Sequence, residues 1–110
     1  MPDIVGGYTY LTGRTPLPQL WTLGYHQSRW GYDSADCIKK VAGKYRELDI
    51  PCDTMHFDID YMDGYRVFTW NEKDYGDPAE TIQELADDGF KAVCICLLYT
   101  SPSPRDRQKS

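Results

Sequence analysis

The chain has 110 residues, of which 41% are hydrophobic and 14% aromatic, as in one small globular domain or part of a larger one. Its net charge of -5 argues against a nucleic-acid-binding surface, because neutralising phosphates needs clustered lysines and arginines. No apolar run approaches the roughly 20 residues of a membrane span. The start, MPDIVGGYTYL, lacks the basic and apolar regions of a signal peptide, so neither a membrane segment nor a cleaved leader is expected.

The first predicted strand covers residues 20–26, a short apolar run after the turn-forming sequence TPLP. A loop with the sequence QSRWGYD follows. From Ser34 onward apolar residues recur at helical spacing, and Asp33 or Ser34 is the predicted N-cap of this first helix. Pro51 lies beyond the helix end, because proline disfavours helical backbone in the residue before it.

Residues 54–59 alternate between two faces and predict a second strand. A long loop over residues 60–76 comes next. Residues 90–95, with the sequence FKAVCI, predict a third strand.

The second helix is predicted from its start signals. Asp77 is a suitable N-cap, Pro78 suits the first helical position, and Glu80 follows at the third. Gly89 is the predicted stop, because glycine accepts the left-handed backbone that ends many helices. The buried stripe is predicted to consist of Ile82, Leu85 and Ala86.

The order strand, helix, strand, helix, strand implies parallel strands with helical crossovers. A doubly wound sheet has this order too, but no GxGxxG or Walker loop is present. The longest aromatic loops follow the first two strands, where a barrel places its active site. We therefore predict an α/β fold, a partial (β/α)8 TIM barrel with three strands and two helices. Strand parity directs Thr54, His56 and Asp58 toward the barrel interior, and Met55, Phe57 and Ile59 toward the helices.

Three acidic residues, Asp58, Asp60 and Asp63, suggest three kinds of site. An EF-hand-type calcium loop has its acids, glycine and glutamate at other spacings. The pair Asp58 and Asp60 resembles the DxD metal motif of sugar transferases, but no basic or glycine-rich diphosphate site accompanies it. The third interpretation is a carbohydrate site, in which carboxylates accept sugar hydroxyls and the rings of Trp30 and Trp70 stack on sugar faces.

Several ordered blocks resemble glycoside hydrolase family 31, the retaining α-glucosidases and their relatives. They are LTGR with PLPQLW, GYHQSRWGY, IPCD and DIDYMDGYRVFTW, and together they extend through most of residues 1–95. Within the family they look most like the α-glucosidase and glucosidase II branch. The resemblance implies a lead-in segment over residues 1–19 and the N-terminal part of the catalytic barrel over residues 20–95.

The resemblance also implies roles for individual residues. Asp58 matches the aspartate that binds the terminal glucose, and Trp30 matches a tryptophan that lines the same pocket. Asp60, Tyr61 and Met62 belong to the same motif and are expected to support the pocket. Arg29 and His26 are expected behind its wall. For His26 and His56, a hydrogen-bonded histidine inside the barrel is the favoured alternative.

No catalytic residue is assigned. Family members use a nucleophile and an acid/base, both carboxylates, and the nucleophile lies in a WxDMN-type motif that is absent from these 110 residues. The resemblance implies an oligosaccharide or α-glucoside substrate with no cofactor and no metal, and a chain that is inactive by itself. The alternative function is a non-catalytic sugar-binding or interaction module.

Residues 96–110, with the sequence CLLYTSPSPRDRQKS, change character. Two Ser-Pro pairs break any helix or strand. Reverse translation with suitable codons gives a string over residues 96–106 that resembles the end of a transposon-based sequencing adapter. We therefore expect a disordered tail translated from adapter sequence, to be excluded from the fold.

Overall fold

A computed structural model of the chain describes residues 1–96; the rest of the predicted tail lies outside the described residues. No helix in this described part combines the length and apolar character that crossing a membrane needs. The strands are β1 His26–Gln27, β2 Thr54–Phe57 and β3 Lys91–Cys94, and the helices are α1 Pro2–Thr12, α2 Ala35–Glu47, α3 Glu72–Tyr75 and α4 Pro78–Asp87. Short 3₁₀ turns occur at Leu20–Leu23, Ile59–Tyr61 and Asp63–Tyr65.

The three strands form one parallel sheet in the order β1-β2-β3. His26 pairs with Thr54, and Thr54 in turn pairs with Lys91. The helix α2 connects the first two strands, while α3 and α4 connect the second pair. This is the predicted βαβαβ segment of a (β/α)8 barrel, so the predicted fold class is confirmed.

The strand predicted over residues 20–26 is wrong for most of its length. Leu20–Leu23 form a 3₁₀ turn in which the Thr22 amide donates to the Gln19 carbonyl at 3.0 Å. The pairing begins only at His26. Leu20 and Leu23 are 85% and 70% exposed, so the apolar run is not the buried strand that its composition suggested.

The lead-in segment contains a helix that the sequence patterns did not predict. Pro2 occupies the first turn of α1, a position where proline needs no amide partner. Thr9 and Thr12 donate their hydroxyls to carbonyls one turn earlier, which satisfies these side chains within the helix. None of its residues is buried, and the pair Gly6 and Gly7 in its middle disfavours a helix, so the sequence contains no clear helix signal here.

The predicted helix starts are confirmed. The Ser34 hydroxyl accepts the Cys37 amide at 3.3 Å, and the Asp77 carboxylate accepts the Ala79 and Glu80 amides at 2.7 and 3.1 Å. Gly89 follows α4 with φ 81°, as the predicted stop requires.

The core lies between the sheet and the helices. Met55 and Phe57 of β2 are fully buried, as are Ile38 of α2 and Leu85 of α4. The predicted stripe of α4 needs correction: Thr81 and Leu85 are its buried residues, Ile82 is 39% exposed, and Ala86 is exposed. Thr81 faces inward because its hydroxyl donates to the Tyr75 carbonyl at 2.9 Å.

Candidate functional site

Two loops emerge side by side at the C-terminal ends of the parallel strands. The loop after β1 covers residues 28–34, and the loop after β2 covers residues 58–71 with its two 3₁₀ turns. Parallel strands bring their carboxyl ends to one edge of the sheet, so these loops are neighbours. All predicted site residues except His26 lie in them.

Asp58 follows the last residue of β2 directly and is half-buried. Its Oδ1 accepts the Ile59 amide at 2.7 Å and caps the turn Ile59–Tyr61. Its Oδ2 accepts no hydrogen bond from the part of the chain that the structure describes. The carboxylate is therefore oriented by its own backbone through one oxygen, and the other can accept a ligand hydroxyl.

The loop after β2 continues with the predicted supporting residues Asp60, Tyr61 and Met62. Tyr61 and Met62 are buried, at 8% and 2% exposure. The Tyr61 hydroxyl donates to the Ile95 carbonyl at 3.0 Å, so the loop is attached to the end of β3. Asp60 accepts the Tyr65 hydroxyl at 3.3 Å. These contacts suit residues that support a pocket.

A polar cavity of about 290 Å³ separates the two loops. Asp60 and Met62 line it, whereas Asp58 and Trp30 lie outside its lining. The remaining residues that line this cavity are Asp33, Gly64, Tyr65, Asn71 and Asp74. No group of three His, Cys, Asp or Glu side chains in residues 1–96 is placed to hold a metal ion.

Arg29 and Trp30 occupy the exposed tip of the first loop. Trp30 is 71% exposed, and within the described residues no ring contact joins it to another aromatic side chain. The structure therefore does not pack Trp30 against Asp58. An exposed ring can still stack on the apolar face of a sugar, so its assignment to the pocket stays a prediction.

His26 is a hydrogen-bonded histidine on the sheet. Its Nε2 lies 3.2 Å from the Thr22 carbonyl oxygen, and its Nδ1 lies 3.1 Å from Nε2 of His56. Because a carbonyl only accepts, Nε2 of His26 carries the proton, and in the neutral ring Nδ1 then accepts from His56. Burial and the neighbouring His26 lower the pKa of His56, and the nearby Asp58 carboxylate opposes them.

The sequence patterns missed a polar network behind the loops. The Gln27 amide oxygen accepts the Tyr25 and Tyr45 hydroxyls at 2.7 and 2.6 Å, and its amide nitrogen donates to the Tyr32 hydroxyl at 2.8 Å. The Tyr75 hydroxyl donates to the Tyr32 carbonyl oxygen. One signal was available: strand parity places Gln27 on the same face as Met55, toward the helices, where a buried amide needs partners.

Comparisons with known proteins agree with this architecture. The profile described as "Glycosyl hydrolases family 31 TIM-barrel domain" matches residues 15–108. Alpha-glucosidase 2 of Bacillus thermoamyloliquefaciens is 43% identical over 93 residues, which are 84% of this chain and 12% of that protein. Neutral alpha-glucosidase AB of Dictyostelium discoideum is 47% identical over 88 residues, 80% of this chain and 9% of that one.

The solved structures agree. The alpha subunit of glucosidase II, in its DNJ-bound form, superposes with a TM-score of 0.79 at 39% identity over 86% of this chain and 10% of that one. The chain thus spans about a tenth of the length of the relatives it matches. With the family profile covering most of its length and the parallel sheet in place, the chain belongs to glycoside hydrolase family 31.

Proposed function

We propose that this chain supplies one wall of the glucose pocket in a retaining α-glucosidase that removes terminal α-linked glucose from oligosaccharides. Asp58 binds hydroxyls of the terminal glucose, and Trp30 covers the sugar face. Asp60, Tyr61 and Met62 support this wall, with His26 behind it, while Arg29 lies beside Trp30 at the exposed tip of the first loop. The reaction proceeds through a covalent glycosyl-enzyme intermediate on a carboxylate that these 110 residues do not include.

The observation that carries the proposal is the position of Asp58. It is the first residue after β2, half-buried, with one carboxylate oxygen held by its own backbone and the other without a hydrogen bond from residues 1–96. A parallel α/β barrel uses this end of its strands for substrate. The similar proteins named above are α-glucosidases, which supports glucose as the sugar.

The chain by itself is proposed to be inactive. A retaining glycosidase needs two carboxylates roughly 5 Å apart, one as nucleophile and one as acid/base. The WxDMN-type motif that carries the nucleophile in the family does not occur in this sequence. Asp58 does not replace it, because the family resemblance gives this residue a binding role.

The test transfers this segment of the chain into a complete enzyme. Residues 15–95 replace the matching segment of Alpha-glucosidase 2 of Bacillus thermoamyloliquefaciens, and hydrolysis of an aryl α-glucoside is measured for the chimera and for the 110-residue chain. We expect turnover by the chimera and none by the chain. A folded chimera without turnover contradicts the proposed wall, and turnover by the chain contradicts the proposed inactivity.

The tail needs a separate test. We propose that residues 96–110 derive from adapter sequence, and the nucleotide reads that underlie this chain decide the matter. Reads that continue past residue 95 into a WxDMN-type motif support the proposal. A genuine gene that encodes CLLYTSPSPRDRQKS in several independent libraries contradicts it.

A further inference from the structure

The two residues proposed to touch the sugar stand on different loops. Trp30 lies in the loop after β1, and Asp58 begins the loop after β2. Their separation therefore depends on the contacts that join the loops. A pocket with one mobile wall binds its ligand more weakly, because only the fraction of molecules with the correct spacing is competent.

Tyr32 ends the short segment that carries Trp30, and it is held at both ends. Its hydroxyl accepts the Gln27 amide at 2.8 Å, which attaches it to β1. Its carbonyl oxygen accepts the Tyr75 hydroxyl, which belongs to the connection after β2. Tyr32 is 4% exposed, so neither hydrogen bond competes freely with water.

Tyr75 is fixed relative to β2. It is 1% exposed, and its ring centroid lies 6.1 Å from that of Phe57 and 5.8 Å from that of Trp70. Its carbonyl accepts the Thr81 hydroxyl at 2.9 Å, which joins it to the first turn of α4. The hydroxyl of Tyr75 thus projects from a rigid aromatic cluster toward the first loop.

The hydroxyl is also kept in its donor form. Burial raises the pKa of Tyr75, and the neighbouring carboxylates of Asp60, Asp33 and Asp74 raise this pKa further. The phenol therefore stays protonated at any ordinary pH. Since a backbone carbonyl only accepts, a protonated phenol is the state that this contact requires.

We infer that Tyr75 is a positioning residue of the glucose pocket: by donating to Tyr32, it ties the loop that carries Trp30 to the strand that presents Asp58. The role of Tyr75 in the glucose pocket rests on the proposed function. The link between the two loops rests on the hydrogen bond and ring contacts alone. Tyr75 touches no substrate in this role.

The test removes only the hydroxyl. Tyr75→Phe keeps the ring in its aromatic cluster, and Tyr61→Phe is the matched control. Tyr61 is also buried, contacts the Trp70 ring and donates to a backbone carbonyl, but its acceptor is Ile95, directly after β3. Amide hydrogen exchange is measured across the 110-residue chain for both variants.

For Tyr75→Phe we expect exchange in residues 28–33 to become about fivefold faster, the loss of one typical hydrogen bond. Trypsin cleavage after Arg29 should accelerate in parallel. Tyr61→Phe should leave this segment unchanged. Unchanged exchange in Tyr75→Phe, or equal acceleration over the whole chain in both variants, overturns the inference.

A binding measurement tests the glucose pocket separately from the hydrogen bond between Tyr75 and Tyr32. Maltose is titrated into the chain while amide resonances of residues 28–33 and 58–62 are followed. We expect binding that weakens about fivefold in Tyr75→Phe. Absence of any maltose effect in the unmodified chain contradicts the glucose pocket, whereas the exchange result still decides whether the tie exists.

One measurement uses only the unmodified chain and does not depend on the folding of a variant. In the unmodified chain the Tyr75 hydroxyl proton is expected as a slowly exchanging resonance with a cross-peak to the Asp33 amide or the Tyr32 α-proton. A hydroxyl proton that exchanges freely with water, in a chain whose core amides are protected, overturns the inference.

Discussion

His26 and His56 stand on neighbouring strands with Nδ1 of His26 3.1 Å from Nε2 of His56. The Thr22 carbonyl requires the proton of His26 on Nε2, so Nδ1 of His26 accepts and His56 donates. This hydrogen bond joins the two strands on the sheet face that strand parity directs toward the barrel interior.

This arrangement predicts an acid-sensitive fold. The pKa of His56 is lowered from 6.5 in the folded chain, chiefly by burial and then by His26. The unfolded chain therefore binds the proton more readily, so the stabilisation is complete above pH 6.5 and is lost as the pH falls below it. Denaturant unfolding between pH 5 and pH 8, together with an NMR titration of His56, measures both effects.

The matched variant is His26→Phe. It removes one cause of the lowered pKa and retains burial, so the pKa of His56 should rise partway toward its usual value. A pKa of His56 above 6.5 in the unmodified chain contradicts this account.

Arg46 joins three elements behind the sheet. Its Nε donates to the Asp88 carbonyl at 2.9 Å, its Nη2 donates to the Cys52 carbonyl at 3.0 Å, and the guanidinium lies 3.7 Å from the Phe90 ring centroid. A lysine lacks the planar fork needed for all three contacts. We expect Arg46→Lys to lower the free energy of unfolding by about 1–2 kcal/mol.

The control for Arg46 is Lys44→Ala. Lys44 forms an exposed ion pair with Glu47 on the same helix, and such pairs contribute about 0–1 kcal/mol. Urea unfolding compares the two variants. Equal losses of stability would show that the guanidinium of Arg46 contributes no more to the free energy of unfolding than an exposed ion pair.

We predict opposite effects on stability when two buried threonines are replaced by valine. Among residues 1–96 the fully buried Thr54 hydroxyl has no hydrogen-bond partner, whereas the Thr81 hydroxyl donates to the Tyr75 carbonyl at 2.9 Å. Valine has nearly the same shape without the hydroxyl. We expect Thr54→Val to be neutral or to stabilise by about 1 kcal/mol, and Thr81→Val to destabilise by about 1 kcal/mol.

Thermal or denaturant unfolding of the two valine variants tests this pair directly. The same sign of change in both would mean that the environment of Thr54 differs from the one described.

Asp58→Asn tests the proposed sugar contact. The asparagine oxygen still accepts the Ile59 amide and keeps the turn, while the negative charge that strengthens hydrogen bonds from sugar hydroxyls is lost. In the chimera described above we expect kcat/KM for an aryl α-glucoside to fall about a hundredfold.

Asp63→Asn is the control for Asp58. Asp63 is exposed, pairs with Arg66 and does not line the cavity between the loops, so the same chemical change should leave kcat/KM unchanged. A similar loss in both variants, or none in Asp58→Asn, contradicts the role of Asp58.

Sequence patterns were most successful where the controlling contacts are local. Ser34 and Asp77 cap helices by accepting amides two or three residues later, and such bonds depend on little beyond the nearby chain. Alternation likewise predicted a strand over residues 54–59, and the structure ends it at Phe57, so that Asp58 follows the strand directly. In α1, which has no side-chain N-cap and two central glycines, the same rules found nothing.

The sequence by itself therefore determined the order of the three strands and of the helices α2 and α4, the starts of these two helices, and the family. The tertiary structure decided that His26 meets His56, that Thr81 and not Ile82 turns inward, and that Tyr75 holds Tyr32. The residues of the first and last pairs are 30 and 43 positions apart. Their contacts depend on how the strands and helices pack, and no local propensity specifies a partner at that distance.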